Sequence, residues 1–308
     1  MKFFGCVCLF LLPVLVRAQT DIAGSHDVAA RRGVVKFSDL TLHRELAPAA
    51  ASYRERRAVP GFKQSATAVP AVRSAVPVGP SPVAVQSFSA LLDDGRYVPP
   101  DTMGAVGPNH IMTALNSQIR IHTRTGNTVS TADMAAFWFG VGAVNVFDPH
   151  VVFEAGMQRW IFTATADDGA ASAVLIAVSQ SSDPTADWNL YSVDADPANV
   201  VSADYGNVGF NGQWIVVSEN MFKNSNGAFD GVRLYLFSKT DLATNGPGAV
   251  TRFESRTDNA FSVMPAVTLD AGVPVLYLVE DWDGSAGQLR ISTISGSPGT
   301  EVLTIGTA

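Results

Sequence analysis

The chain has 308 residues, enough for one large domain or two modest domains with a substantial apolar core. Its formal net charge of −7 argues against a nucleic-acid partner, which requires a clustered basic surface. Only 16% of the residues are charged, and 26 glycines and 17 prolines supply many turns, so the composition favours a β-rich protein over a helical one.

The first residues, MKFFGCVCLFLLPVLVRAQT, predict a signal peptide over residues 1–18. Lys2 gives a positive start, the apolar run that follows is too short to span a bilayer, and Val16 and Ala18 suit a cleavage site after Ala18. We therefore expect a secreted, periplasmic or cell-surface protein. The chain's only cysteines, Cys6 and Cys8, lie inside this peptide, so the mature protein is expected to lack disulfides, which suits a bacterial origin. No later segment is long and apolar enough to predict a membrane span.

Residues 19–85 are rich in Ala, Pro, Val and Arg and show no sustained strand or helix period. Repeated Val-Pro and Ala-Pro steps favour extended, unpaired backbone. We interpret this stretch as a disordered linker or pro-segment, with room for one short helix at FSDLTLHREL.

A repeat begins near residue 86 and returns about every 50 residues, a spacing typical of propeller blades. Four phrases recur: DTMGAVGPNHIMTALN, DPHVVFEAGMQRWIFTATA, DYGNVGFNGQWIVVSEN and VMPAVTLDAGVPVLYLVED. Each phrase reads as a short strand, a turn and a longer strand, and each is followed by a second strand pair. Four short antiparallel strands per repeat predict an all-β fold, a β-propeller over residues 86–308. Four blades are visible, either as the whole propeller or as part of a larger one.

Aspartates open three of the four phrases, at Asp101, Asp148 and Asp204. The first strand of a propeller blade lines the central channel, so these carboxylates are expected to form a ring at one channel mouth. Pro149 suits the start of a strand because it has no N–H to donate to the ladder. A purely structural interpretation is also open, in which each carboxylate caps turn amides or ties neighbouring blades.

Residues 98–240, with PPDTMGAVGPNHIMTALN, FDPHVVFEAGMQRWIFTATA and DYGNVGFNGQWIVVSENMF, resemble a group of secreted bacterial proteins of unknown function that are predicted propellers. The shorter stretch DPHVVFEAGMQRWIF is similar to five-bladed glycosidases acting on furanosides and xylosides. This second resemblance implies that acids from successive blades serve as catalytic base, orienting carboxylate and general acid.

Carried over by position, that resemblance makes Asp101 the base and Asp148 the orienting carboxylate. The family's acid is a glutamate, and here Asp204 stands in the matching position. Glu219, in VSEN, closes the next strand and is a further catalytic candidate if its side chain points into the channel.

Aromatic residues and a second group of acids provide the remaining candidates. Trp160 and Trp214 begin what read as equivalent second strands, and we interpret them as core between blades. Trp282, predicted to lie in an exposed loop in EDWDG, is a ligand-stacking candidate together with Glu280 and Asp281, which otherwise are solvated strand ends. A degenerate Asp-box turn, SQSSDPTADW, predicts a structural role for Asp183.

Two functions fit these patterns. The first is a ligand-binding or scaffold module for a carbohydrate or an extracellular protein, and the alternative is a glycoside hydrolase that uses the carboxylates at the channel mouth. Clustered carboxylates would also suit Ca²⁺ as a cofactor, although no metal-binding motif is found and the five histidines show no metal-ligand spacing.

Overall fold

A computed structural model describes residues 20–40, 83–167, 169–256, 260–283 and 287–306, apart from the side chains of residues 20, 255, 256 and 281–283. The predicted signal peptide lies outside the described residues, as does most of the predicted linker. α-Helix in the described part is confined to two short elements, α1 (Met134–Trp138) and α2 (Lys239–Ala243). None of the described helices is long and apolar enough to cross a membrane.

The first strands of the described part are short: β1 (Thr20–Ala23), β2 (Ser25–Val28) and β3 (Arg31–Lys36). They are followed by four antiparallel sheets that form successive propeller blades. Blade 1 contains β4 (Met103–Val106), β5 (His110–Ala114), β6 (Gln118–Thr123) and β7 (Thr128–Asp133). Blade 2 contains β8 (Val146–Glu154), β9 (Arg159–Ala166), β10 (Ala173–Ser179) and β11 (Asp187–Asp194). Blade 3 contains β12 (Val201–Phe210), β13 (Trp214–Lys223), β14 (Phe229–Ser238) and β15 (Ala249–Arg256). Blade 4 contains β16 (Met264–Pro265), β17 (Leu276–Asp283), β18 (Gln288–Ser295) and β19 (Val302–Ile305).

The N-terminal strands form a belt, residues 20–36, along the outer edges of three blades. β1 pairs with β19 of blade 4, β2 with β15 of blade 3, and β3 with β11 of blade 2, all antiparallel. The prediction of a disordered linker is therefore wrong for these residues, and the fold includes them. Sequence patterning missed the belt because most of its side chains are exposed and its pairing uses main-chain hydrogen bonds, which leave little trace in composition.

Three hydrophobic clusters fill the spaces between consecutive blades. Strands here read as continuous apolar runs because a blade buries both of its faces, as in every residue of β10. No hydrophobic cluster of the described residues joins blade 4 to blade 1, so the four blades form an open arc. The predicted all-β propeller architecture is confirmed in this form.

Trp160 and Trp214 are both fully buried, which confirms that they belong to the core. They face opposite sides of their blades, however. Trp160 packs in the cluster between blades 1 and 2, and Trp214 packs in the cluster between blades 3 and 4. The repeat alignment that made them equivalent is therefore off by one residue, because successive side chains of a strand point to opposite faces.

Candidate functional site

The innermost strand of each blade is preceded or interrupted by one residue with a left-handed backbone conformation. These residues are Asp101 (φ 48°), Asp148 (φ 51°), Tyr205 (φ 60°) and Ser262 (φ 50°). In blades 2 and 3 this residue lies in a β-bulge, where the register shifts between Phe147 and His150 and between Asp204 and Asn207. A bulge bends its strand and redirects side chains, and it is common beside functional sites. The blade 3 equivalent of Asp148 is therefore Tyr205, and Asp204 precedes it.

Hydrogen bonds join the four positions across the blades. Asn116 of blade 1 donates from Nδ2 to Asp101 Oδ2 at 2.7 Å, and its Oδ1 accepts from the Asp148 backbone N at 2.9 Å. Asp148 Oδ2 in turn accepts from the Tyr205 backbone N at 2.9 Å. These bonds connect blade 1 to blade 2 and blade 2 to blade 3 at one end of the arc.

The connection to blade 4 repeats the first of these links. Asn220 Oδ1 accepts from the Ser262 backbone N at 2.9 Å, and Asn220 Nδ2 lies 3.1 Å from Ser262 Oγ. Asn116 and Asn220 thus each accept a hydrogen bond from the backbone N of the left-handed residue in the next blade. In blade 4 this residue is a neutral serine, whereas in blades 1 and 2 it is an aspartate. A sequence signal existed for both asparagines, since each closes its phrase, in TALN and VSEN.

Three predicted aspartates converge around this network. Asp148 is only 8% exposed, and burial followed by the charges of Asp204 and Asp101 raises its pKa to about 8. Hydrogen bonding between Asp148 and the side chains of Asp204 and Asp101 acts in the same direction. Burial and neighbouring charge thus favour the protonated form of Asp148, beside the carboxyl groups of Asp101 and Asp204, which are partly accessible to solvent.

Glu219 is the fourth member of this carboxyl cluster and points inward from β13, opposite the bulge of β12. Its side chain is fully buried, and burial followed by the charges of Asp148 and Asp204 raises its pKa well above the usual range. The Thr165 hydroxyl, from blade 2, donates to both carboxyl oxygens at 3.2 and 3.3 Å. The structure thus brings together Asp101, Asp148, Asp204 and Glu219, all four predicted catalytic candidates.

A histidine of β8, the strand that contains Asp148, lies close to the cluster. His150 follows Pro149 in β8, and burial lowers its pKa although the charge of Asp101 opposes this shift. His150 was not predicted to be a site residue, because no second histidine stands at a metal-ligand spacing from it.

Gly206 makes room for Glu219. A Cβ atom at position 206 would lie 2.5 Å from Glu219 Oε1 and 3.0 Å from its Cδ. We expect Gly206→Ala to lower the free energy of unfolding by about 1–3 kcal/mol, because the buried Glu219 carboxyl has little room to move. Gly104→Ala is the matched control, since a Cβ there meets its neighbours at 3.4 Å. Equal stability of the two variants in urea titrations would contradict this packing.

The second group of predicted site residues lies elsewhere, in β17. Glu280 is 3% exposed, and one of its carboxyl oxygens accepts a hydrogen bond from Arg290 Nε at 2.6 Å. Its carboxylate is thus held in a buried ion pair, and neither a solvated strand end nor an open ligand site describes it. Asp281 and Trp282 belong to the same strand, which corrects the predicted loop, and their side chains lie outside the described residues.

Asp183 has the structural role that the sequence predicts. Its Oδ1 accepts from the Thr185 backbone N at 2.9 Å and from the Thr185 hydroxyl at 2.7 Å, which fixes an exposed turn. Within the described ranges, no group of three or more histidine, cysteine or acidic side chains is arranged to hold a metal ion. A calcium cofactor therefore stays a prediction without an assigned site.

No family model and no curated protein matches the sequence. Among solved structures, the chain is similar to the GH43 endo-arabinanase from Bacillus licheniformis, with 16% identity over 63% of this chain and 69% of that one and a TM-score of 0.36. It is also similar to the exo-β-1,3-galactanase from Phanerochaete chrysosporium, with 11% identity over 65% of this chain, about half (48%) of that one, and a TM-score of 0.36. An exo-1,5-α-L-arabinanase from a bovine ruminal metagenomic library gives 11% identity over 63% and 69% of the two chains and a TM-score of 0.33.

Proposed function

We propose that the protein is a secreted glycoside hydrolase whose active site is the carboxyl cluster of Asp101, Asp148, Asp204 and Glu219. The observation that carries this proposal is the convergence of the buried Asp148 and Glu219 with the partly accessible Asp101 and Asp204. Cleavage of a glycosidic bond requires a carboxylic acid and a carboxylate at the same site, and a buried acid that favours its protonated form beside more accessible acids suits this requirement.

In this proposal Asp101 is the base that takes a proton from water while the water oxygen bonds to the anomeric carbon. The glycosidic oxygen leaves with the proton of Asp148, beside which the Asp204 carboxyl group lies. Asn116 positions the base, because it bonds to the Asp101 carboxyl and to the Asp148 backbone at once. Glu219 adds a buried carboxyl group behind the three aspartates, and its own pKa is raised by burial and by the charges of Asp148 and Asp204.

The burial of two of the four carboxyl groups favours a second function, that of a glycan-binding module without catalysis. Asp148 and Glu219 are 8% and 1% exposed, and their carboxyl oxygens accept hydrogen bonds from Tyr205 and Thr165. Both side chains therefore also tie neighbouring blades together, which a scaffold requires as much as an enzyme does.

Release of reducing ends from glycans separates the two functions. The purified protein would be incubated with arabinan, xylan and β-1,3-galactan, and with their trisaccharides. We expect hydrolysis of at least one of them, with a rate that falls as pH rises through about 8 and the cluster loses its proton. Asp101→Asn and Asp204→Asn should each lower the rate by about 10²-fold or more.

Asp183→Asn is the matched control, because Asp183 lies in an exposed turn and should leave the rate unchanged. Binding of a trisaccharide without cleavage would support the binding module. Undiminished hydrolysis by folded Asp101→Asn and Asp204→Asn proteins would place the active site elsewhere.

A further inference from the structure

Tyr205 occupies an unusual position in the site. It is the bulge residue of β12, with a φ of 60°, and its side chain is 42% exposed. A left-handed conformation is unfavourable for a bulky residue, and glycine, asparagine or aspartate is the usual occupant of such a position. The ring is partly exposed and belongs to none of the three hydrophobic clusters of buried residues.

The same residue is fixed directly against the carboxyl cluster. Its backbone N donates to Asp148 Oδ2 at 2.9 Å, and its carbonyl oxygen accepts from Asn207 Nδ2 at 3.3 Å. Asp204 precedes it, and Gly206 follows it against the Glu219 carboxyl. The backbone of Tyr205 is thus held on both sides, with a partly exposed aromatic side chain next to the acids.

We propose that the Tyr205 ring is the surface on which a sugar ring of the ligand stacks while its neighbouring linkage lies at the carboxyl cluster. Unfavourable backbone conformations that are held in place by surrounding structure concentrate at binding sites. A tyrosine ring combines an apolar face with a polar tip, which suits the C–H face and the hydroxyl groups of a sugar. The choice of a glycan ligand depends on the function proposed above, but the position of the contact does not depend on catalysis.

The corresponding residues in the other blades show what sets Tyr205 apart. Asp101 and Asp148 occupy this left-handed position in blades 1 and 2, and Ser262 occupies it in blade 4. Only blade 3 places an aromatic residue there among these four. Blade 3 therefore places a partly exposed aromatic residue where blades 1 and 2 place acids, and this difference suits a site that orients a sugar.

The test is binding of arabinotriose, xylotriose and β-1,3-galactotriose by titration calorimetry at 4 °C, with reducing ends measured in the same samples. For each trisaccharide that the parent binds, Tyr205→Ala should raise Kd by about tenfold or more, whereas Tyr205→Phe should stay within about twofold. Tyr277→Ala is the matched control, because Tyr277 is 43% exposed and lies on blade 4 outside the cluster. It should bind as the parent does.

Tyr205→Gly separates loss of binding from loss of folding. Glycine accepts the left-handed conformation, so this variant should unfold at a temperature equal to or above that of the parent and still bind weakly. Parental affinity in both Tyr205→Ala and Tyr205→Gly would overturn the stacking role alone. Binding without cleavage would overturn the hydrolase alone, and no binding of any trisaccharide by the parent would overturn both.

Discussion

Asp148→Asn is expected to be more stable than the parent protein at pH 7, by about 2–4 kcal/mol in the free energy of unfolding. Asparagine retains an oxygen that can accept the hydrogen bond from the Tyr205 backbone N, and it cannot acquire the buried charge that Asp204 and Asp101 oppose. The same variant should lose glycan hydrolysis, because Asp148 no longer supplies the acidic proton. Stability and activity therefore change in opposite directions.

The raised pKa of Asp148 also predicts how the free energy of unfolding depends on pH. The pKa of Asp148 rises from 3.8 to about 8 on folding, so the folded protein binds more protons than the unfolded chain between these values. The stabilisation that Asp148 contributes to the parent is therefore lost as pH rises from about 4 to about 8. The unfolding free energy of Asp148→Asn should depend less on pH over this range. Urea unfolding of both proteins between pH 4 and pH 9 measures the difference. An Asp148→Asn protein that is about 1 kcal/mol less stable at every pH would make Asp148 an ordinary turn residue.

Trp160→Ala is expected to lower the free energy of unfolding by about 3–5 kcal/mol. Trp160 is fully buried between blades 1 and 2, where its ring contacts Phe153 with centroids 5.1 Å apart and leaves no space for a side chain at Gly107. Its indole N–H also donates to the Ser182 carbonyl at 3.0 Å, so alanine removes both packing and a buried hydrogen bond.

Phe139→Ala is the matched control for this substitution, since Phe139 is a large aromatic residue that is 80% exposed. It should change the unfolding free energy by less than about 0.5 kcal/mol. Similar losses in the two variants, measured by chemical denaturation, would mean that the blade interface does not depend on Trp160.

The sequence was sufficient to predict the blades because their pattern is local. Each blade repeats the same strands and turns, and burial on both faces produces the apolar runs that identify them. The aspartates that open three phrases correctly marked the end of the blades where the carboxyl groups meet. Asp183 was also predictable, because its turn is fixed by hydrogen bonds within a few residues.

The details of the site were less predictable because they depend on the bulges. A bulge adds one residue to one strand, and a shift of one residue exchanges the two faces of that strand. Asp148 and Asp204 look equivalent in the sequence, yet Tyr205 has the backbone conformation of Asp148. This shift concealed the position of Tyr205 and left the orientation of Glu219 undecided.

The belt of residues 20–36 has a consequence for the order in which the protein can fold. Thr304 donates to Asp21, which lies 283 residues earlier, so the first described strand can pair only after the last described strand has been synthesised. The belt then crosses blades 4, 3 and 2 in the reverse of their order of synthesis. Until it docks, the outer edges of three blades have unpaired backbone groups that can pair with other chains. Such long-range pairing slows folding, and docking of the belt therefore covers blade edges that would otherwise be able to aggregate.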